Sequence, residues 1–417
     1  MKFGVFYEMQ LPKPWLPGDE KRLFHEALAQ VELADRLGYD HAWEVEHHFL
    51  DEYSHSSAPE VFLAAAAART KRIRLGHGIR QVIPNYNHPA RTAEALATLD
   101  IMSDGRVDFG IGEGATRLEL GGFHIPAKEK RAMCIEAAEQ VANMMVMDPY
   151  PGYEGKYFTM PCRNVLPKPV QSPHPPMWMA CTNRDTIKVA ASLGVGALAF
   201  AFVNPEEARA WSEIYYGIIK SEQCVPIGHS VNANIAMVSS FSIHKDRGEA
   251  IRRGQEGFEF FGYALNALVA RDTVPGRTDL WGEYQALRGN KTEELVAAAN
   301  RAPQGSGIGT PDDMRLHLKA FEASGVDQVI FMQQAGRNRH DHICESLELF
   351  AAEVMPDFKR DVEAREAEKA RTLQPFIEAA LARKPRMKAL ADHEIPVVRA
   401  SVAQAQVNQG RAVSARA

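Results

Sequence analysis

The chain lacks the features that would send it to a membrane, a secretory compartment or a polyanion. No apolar stretch reaches the roughly 18 residues that span a bilayer. The opening Met1-Lys2-Phe3-Gly4-Val5-Phe6-Tyr7 runs straight into an apolar strand pattern, with no basic leader or small-residue cleavage site. A cytoplasmic protein without a membrane partner is expected. Cysteine is scarce: Cys134, Cys162, Cys181, Cys224 and Cys344 are odd in number and form no Cys-x-x-Cys pair. That pattern suggests neither a disulfide framework nor a zinc knuckle. Charge of one sign is lacking too, since 48 Lys+Arg face 53 Asp+Glu and the basic residues are dispersed. Nucleic acid is therefore not an expected partner. The Gly-x-Gly-x-Gly of Gly110, Gly112 and Gly114 lacks the spacing and the ribose carboxylate of a dinucleotide fingerprint.

What the chain does have is a strong alternation of short β-rich apolar runs with longer segments of helical period. Strands are expected near 2–7, 40–44, 73–79, 105–111, 176–181, 195–200, 231–241 and 326–332. In the first helical segment Phe24, Leu28, Val31, Ala34 and Leu37 share one face, and Gly38 stops it. Eight β/α units with right-handed crossovers favour a closed (β/α)8 barrel over an open doubly wound sheet. The barrel is expected to occupy 1–360, with a helical extension and tail over 361–417. Residues 148–175 are too rich in proline and glycine for a helix and leave room for a small hairpin. Residues 262–309 exceed what a barrel connection needs and read as a lid over the barrel mouth, or as an inert insertion.

Chemistry-bearing residues gather at the expected strand ends, where barrel enzymes present catalytic groups. The second strand closes on Trp43-Glu44-Val45-Glu46-His47-His48-Phe49. An imidazole beside a carboxylate suits acid-base work near neutral pH, which singles out Glu46 and His47. Adjacent strand residues point oppositely and no His-x-His accompanies them, so a metal centre is not expected. A structural histidine pair is the alternative. At the third strand tip Gly76 and Gly78 allow close approach to a flat ligand, or merely a tight turn, while His77 and His88 read as structural. The fifth strand runs into Cys181-Thr182-Asn183-Arg184-Asp185-Thr186 and then a helix. Such a start offers free N–H groups, hydroxyls and a guanidinium to a phosphate, although ordinary N-capping explains it equally well.

Taken in order, Met1-Lys2-Phe3-Gly4, Glu46-His47-His48-Phe49, Gly309-Thr310-Pro311, Gly325-Val326-Asp327-Gln328-Val329 and Val354-Met355-Pro356 resemble the bacterial luciferase-like flavin monooxygenases over about residues 1–360. The run from Trp43 to Phe49, with Tyr53-Ser54-His55-Ser56-Ser57-Ala58-Pro59-Glu60, looks most like limonene monooxygenases. The resemblance implies reduced FMN, with FAD possible, supplied by a separate reductase, O2 as co-substrate, and insertion of one oxygen atom into a small apolar organic substrate through a flavin hydroperoxide. It implies a homodimer. It places the catalytic histidine at His47 with Glu46 as its partner, and a non-prolyl cis peptide at Gly78-Ile79 against the flavin. Asn183, Arg184 and Thr186 fall at the phosphate site, alongside Cys181 and Thr182. Bacterial luciferase has a cysteine and a basic residue where this chain has Gly112 and Glu113, so Arg184 is expected to meet the phosphate charge and Glu113 to hydrogen-bond flavin or substrate. Phe6, Phe200 and Phe202 are expected to wall the substrate pocket. A deazaflavin-dependent hydride-transfer enzyme on the same barrel, and a non-catalytic flavin-binding protein, are the alternatives.

Overall fold

A computed structural model describes residues 1–270, 278–289, 291–301 and 307–395. The eight expected strands are present as β1 (Lys2–Tyr7), β2 (His41–Glu44), β3 (Arg74–His77), β4 (Val107–Gly112), β5 (Met177–Cys181), β6 (Gly196–Ala199), β7 (Ile235–Ser239) and β8 (Gln328–Gln333). All pair in parallel with their sequence neighbours, β8 pairs with β1, and the Leu75–Val107 and Gly76–Asp108 register joins β3 to β4. The sheet is thus a closed (β/α)8 barrel with helices between the strands.

Local chemistry sets the boundaries. The helices Pro59–Arg69, Pro89–Met102, Pro205–Ile219 and Pro311–Ala323 each begin with proline, whose fixed φ suits a first turn and whose missing N–H is not needed there. Helix Asp19–Leu37 ends at Gly38, whose φ of 90° is open to glycine, and the Gly38 N–H returns to Ala34 O. Leu28, Val31 and Ala34 of its expected face are buried.

Two indoles fill the barrel. Trp43 and Trp178 meet edge to face at 5.3 Å, among Phe6, Leu198 and Ile330. Glycine makes the room for them. A Cβ on Gly76 would lie 2.1 Å from Trp43, and one on Gly196 would lie 2.4 Å from Trp178.

The 148–175 excursion contains the expected hairpin, Tyr150–Glu154 against Thr159–Arg163. The 262–309 segment is more helical than a loop. Its first part ends helix Arg247–Ala270, followed by helices Leu280–Arg288 and Thr292–Arg301 and by Ile308–Gly309, which pairs with Ser242–Ile243. Phe258, Phe261, Leu265 and Leu268 recur at helical spacing, a signal that outweighs the length of the connection. Residues 271–277, 290 and 302–306 of that expected lid lie outside the described residues. Helix Val362–Arg383 crosses the N-terminal face of the barrel through Lys2–Glu366 at 2.6 Å and Lys369–Asp327 at 2.7 Å. The tail beyond residue 395 lies outside the described residues. Among the described residues no helix is long and apolar enough to cross a membrane.

Candidate functional site

At the C-terminal mouth of the barrel the strand ends enclose a cavity of about 370 Å³. Phe6, Ile79, Met179 and Phe200 line it from the strands, while helix Arg247–Ala270 closes over it with Phe261, Leu265 and Leu268. Phe6 and Phe200 lie 5.1 Å apart, and Phe202, half exposed, packs on Phe258 and Phe261 at the rim. Of the residues singled out in the sequence, Glu46, His47, Gly78, Ile79, Glu113, Thr182, Asn183, Thr186, Phe6, Phe200 and Phe202 all line this one cavity.

His47 follows the end of β2. Its N–H donates to Ser56 O at 2.8 Å, and Ser56 Oγ donates back to Val45 O at 2.7 Å, which fastens the segment. The ring sits between two carboxylates, with Nδ1 2.9 Å from Glu119 Oε1 and Nε2 3.5 Å from Glu8 Oε2. Burial pulls the imidazole pKa down, but the charges of Glu119 and Glu8 outweigh it and raise the pKa to about 9. Burial would likewise lift Glu119, yet the His47 charge and hydrogen bond hold it below the usual carboxylate range. The pair is therefore an imidazolium–carboxylate at neutral pH.

Glu8 is the group that sequence reasoning missed. It is 5% exposed and lines the cavity, its Oε1 accepts from Tyr53 OH at 3.2 Å, and among the described residues no group donates a hydrogen bond to its Oε2. Burial raises its pKa, the His47 charge and the Tyr53 bond lower it, and the balance is about 7. Its signal was a carboxylate immediately after an apolar strand. Glu119 was hidden differently. Thr116-x-x-Glu119 is a capping box on helix Arg117–Gly122, which reads as structure alone.

Three expectations are corrected. Glu46 does not partner His47. Its carboxylate binds His48 Nε2 at 3.1 Å, Gln81 N at 2.9 Å and Asn87 Nδ2 at 2.8 Å, because it points along the rim toward the β3 loop. His48 packs with it against Tyr86 and Phe123. The Gly78–Ile79 peptide is not cis, since the four cis bonds among the described residues all precede proline. Close packing at this tip is achieved by small neighbours instead: a Cβ on Gly112 would lie 1.9 Å from Ile79 Cδ1. Cys181 and Arg184 stand outside the cavity lining. The Cys181 thiol is buried under Thr186 O and its pKa is pushed up to about 12 by that burial. Arg184 lies outward on the surface, binding both carboxylate oxygens of Glu207 at 2.7 and 2.6 Å.

The cations that do line the cavity are Lys130 and Arg131. Arg131 makes a bidentate pair with Glu113 at 2.9 and 3.0 Å, and Lys130 lies 3.4 Å from the same carboxylate. Burial would raise the Glu113 pKa, but these two cations hold it below the ordinary value. Asn183 caps helix Arg184–Ser192 by accepting from Asp185 N and Thr186 N, both at 3.0 Å. Thr186 Oγ1 accepts from Thr182 N and Asn183 N. The capping reading and a place on the cavity wall thus coexist.

Comparison with known proteins bears on this geometry. The family model for luciferase-like monooxygenases matches residues 1–328. The oxygenase component of the flavin-dependent trigonelline monooxygenase of Acinetobacter baylyi is 24% identical over 367 residues, covering 86% of this chain and 96% of that one. Limonene 1,2-monooxygenase of Rhodococcus erythropolis is 42% identical over 114 residues, 27% of each chain. The 5,10-methylenetetrahydromethanopterin reductase of Methanopyrus kandleri is 25% identical over 357 residues, 79% of this chain and 93% of that one. Among solved structures, monooxygenase RslO1 from Streptomyces bottropensis superposes with a TM-score of 0.68 at 28% identity, covering 86% of this chain and all of that one.

Proposed function

Because the chain belongs to the luciferase-like monooxygenase family, we propose that it is the oxygenase of a two-component system. It takes reduced FMN from a separate reductase and inserts one atom of O2 into a small apolar substrate. The observation that carries this reading is the mixed lining of the cavity at the barrel mouth. Its lining combines the His47 imidazolium, held between Glu119 and Glu8, with apolar walls from Phe6, Ile79, Met179 and Phe200 and with Lys130, Arg131 and Thr182.

The residues suit a flavin. The cavity lies within the ~300–1,000 Å³ range of cofactor sites. Phe6, Ile79 and Met179 offer flat apolar walls for an isoalloxazine ring. Gln81 Oε1, buried on the cavity wall and without a hydrogen-bond partner among the described residues, is an acceptor suited to a ring N–H. Lys130 and Arg131 supply the charge that a ribityl phosphate needs, a role expected of Arg184 that its outward pairing with Glu207 does not support. Bound reduced flavin supplies the electrons that activate dioxygen. His47 holds a proton beside the cavity, Glu119 fixes its ring, and Glu8, titrating near neutrality, can give or take a proton at Oε2. Phe200, Phe202 and the helix bearing Phe261, Leu265 and Leu268 exclude water and form the substrate wall. The reading includes a homodimer, which sedimentation tests directly.

A deazaflavin-dependent hydride transfer is the second reading, favoured by the methanopterin reductase among the relatives. Anaerobic titration with reduced FMN, reduced FAD and reduced deazaflavin, followed by oxygen, separates them. Tight binding of reduced FMN with oxygen-dependent product formation is expected. Tight binding of deazaflavin alone, with no oxygen consumption, would overturn the proposal.

A further inference from the structure

The C-terminal ends of four neighbouring strands carry a row of polar side chains on their outer face. The register sets Gln333 of β8 beside Tyr7 of β1, Tyr7 beside Glu44 of β2, and Glu44 beside His77 of β3. Residues in register on parallel strands project to the same side about 4.8 Å apart. The side is the outer one, because Phe6 and Trp43 fill the barrel interior while Tyr7 meets Phe62 of helix Pro59–Arg69. All four residues are at most 2% exposed. Yet among the described residues no hydrogen-bond partner meets Gln333 Oε1, Tyr7 OH, either oxygen of Glu44 or either ring nitrogen of His77. The neighbouring Ser56 hydroxyl is committed to Val45 O.

Buried polar atoms without protein partners are ordinarily satisfied by ordered water, and a row of them on adjacent strands defines a file. We propose that Glu44, His77 and the water they hold form a proton path through the barrel wall, linking Glu8 in the cavity to the surface carboxylate Glu60. The inner end is set by Glu8, which directly follows Tyr7 of the row and lines the cavity. The outer end is set by Arg80 and Glu60, paired at 2.9 Å, whose charges are felt at His77 and of which Glu60 is partly exposed. The groups that face Glu44 are Glu8, Ser56, Tyr7 and, in register on β3, His77, and no lysine or arginine is among these described neighbours. Burial therefore keeps Glu44 protonated well above the carboxylate range, while burial and Arg80 lower His77 to about 3, so both are neutral at rest. Neutral members can relay a proton without a net change of charge.

The step balances. The Glu44 O–H breaks as a water-borne proton reaches Glu8 Oε2. The Glu44 carboxylate recovers its proton from water held by His77, and His77 is resupplied from the Glu60 side. This rests on the proposed monooxygenase reading only for its purpose: when flavin arrives as its reduced anion, insertion of one oxygen atom and release of the other as water consume one proton per turnover. A closed cavity needs a route for it.

The test is infrared spectroscopy of the flavin-free protein above neutral pH. A protonated-carboxyl carbonyl band should be present, shift in D2O, and vanish in Glu44→Gln. In the parent this band should exchange at least tenfold faster than the backbone amides of β2. In His77→Phe, which blocks the file, the exchange should slow at least tenfold with the melting temperature retained. Should Glu44→Gln fail to fold, the His77→Phe comparison decides alone. Absence of the band, or exchange no faster than the amides in the parent, would overturn the path. Neither readout depends on turnover, so an inactive protein that keeps fast exchange would count against the monooxygenase reading and not against the path.

Discussion

His47 Nδ1 lies 2.9 Å from Glu119 Oε1, and this contact holds the ring as an imidazolium beside the cavity. The consequence is a matched prediction for the histidine pair. His47→Ala should lower turnover by about 10²–10⁴-fold, the usual range for a positioned acid-base group, with flavin affinity little changed. His48→Ala, which loses packing on Tyr86 and Phe123 and a bond to Glu46, should cost about 1–3 kcal/mol of stability with modest kinetic effect. Stopped-flow kinetics and thermal melts on both variants check it, and a kinetic loss confined to His48→Ala would reverse the assignment.

The pH dependence follows from the same cluster. The folded pKa of His47 is raised to about 9 from 6.5, so its contribution to stability is complete below 6.5 and is lost as pH rises through 9. Glu8 is raised to about 7 from 4.5, so its contribution is greatest below 4.5 and declines up to 7. Activity that needs a titrating Glu8 should show an inflection near 7, and Glu8→Gln should remove it. A profile unchanged in Glu8→Gln would show that another group titrates there.

Arg131 and Arg184 offer a direct contrast at the phosphate end. Arg131→Ala should weaken FMN binding at least tenfold, about 1.4 kcal/mol, and leave riboflavin binding nearly unchanged. Arg184→Ala should affect neither, because its guanidinium lies outward on Glu207. Calorimetric titration of both ligands with both variants is sufficient, and a larger FMN loss in Arg184→Ala would restore the sequence-based assignment.

The barrel was legible because short β-rich apolar runs alternate with helical segments that end in glycine, and each expected strand overlaps an observed one. The cavity wall was legible where chemistry sits at strand ends, as at His47 and Thr182. Pairing was not. Glu46 is next to His47 in sequence, but neighbours along the chain diverge in space, and the partners came from 39 positions upstream and 72 downstream. Lys130 and Arg131 open a helix after a loop, and nothing in their spacing aims them at a strand end 18 residues earlier. The phosphate cation was sought beside the fifth strand because Arg184 is close in sequence, whereas its side chain turns to Glu207.

The paired indoles give a stability prediction. Gly76→Ala would place a methyl carbon 2.1 Å from Trp43 Cε3, in a ring also held by Trp178 and His41. Overpacking of this kind costs about 1–3 kcal/mol. The loss should be partly recovered in Gly76→Ala/Trp43→Phe, and denaturant unfolding of the single and double variants measures the coupling. Strict additivity would mean that the two residues do not share the space.

The last prediction concerns the cover of the cavity. Glu52 is fully buried, and its carboxylate accepts from Leu280 N at 2.6 Å and Trp281 N at 3.1 Å, capping helix Leu280–Arg288 from outside the helix. That helix packs through Trp281 and Tyr284 on Phe260 of the helix that closes the cavity. Glu52 therefore ties the cover to the loop that carries His47. Glu52→Ala removes the acceptor for two buried N–H groups, a loss of about 0.5–2 kcal/mol for a cap, and it should act locally. Hydrogen exchange should accelerate in Leu280–Arg288 while the barrel strands stay protected. If the helix acts as a lid, as expected from the sequence for 262–309, the loosened cover admits water, and more hydrogen peroxide should be released per flavin consumed. Faster exchange with unchanged coupling would leave the helix a structural brace and remove the lid from the mechanism.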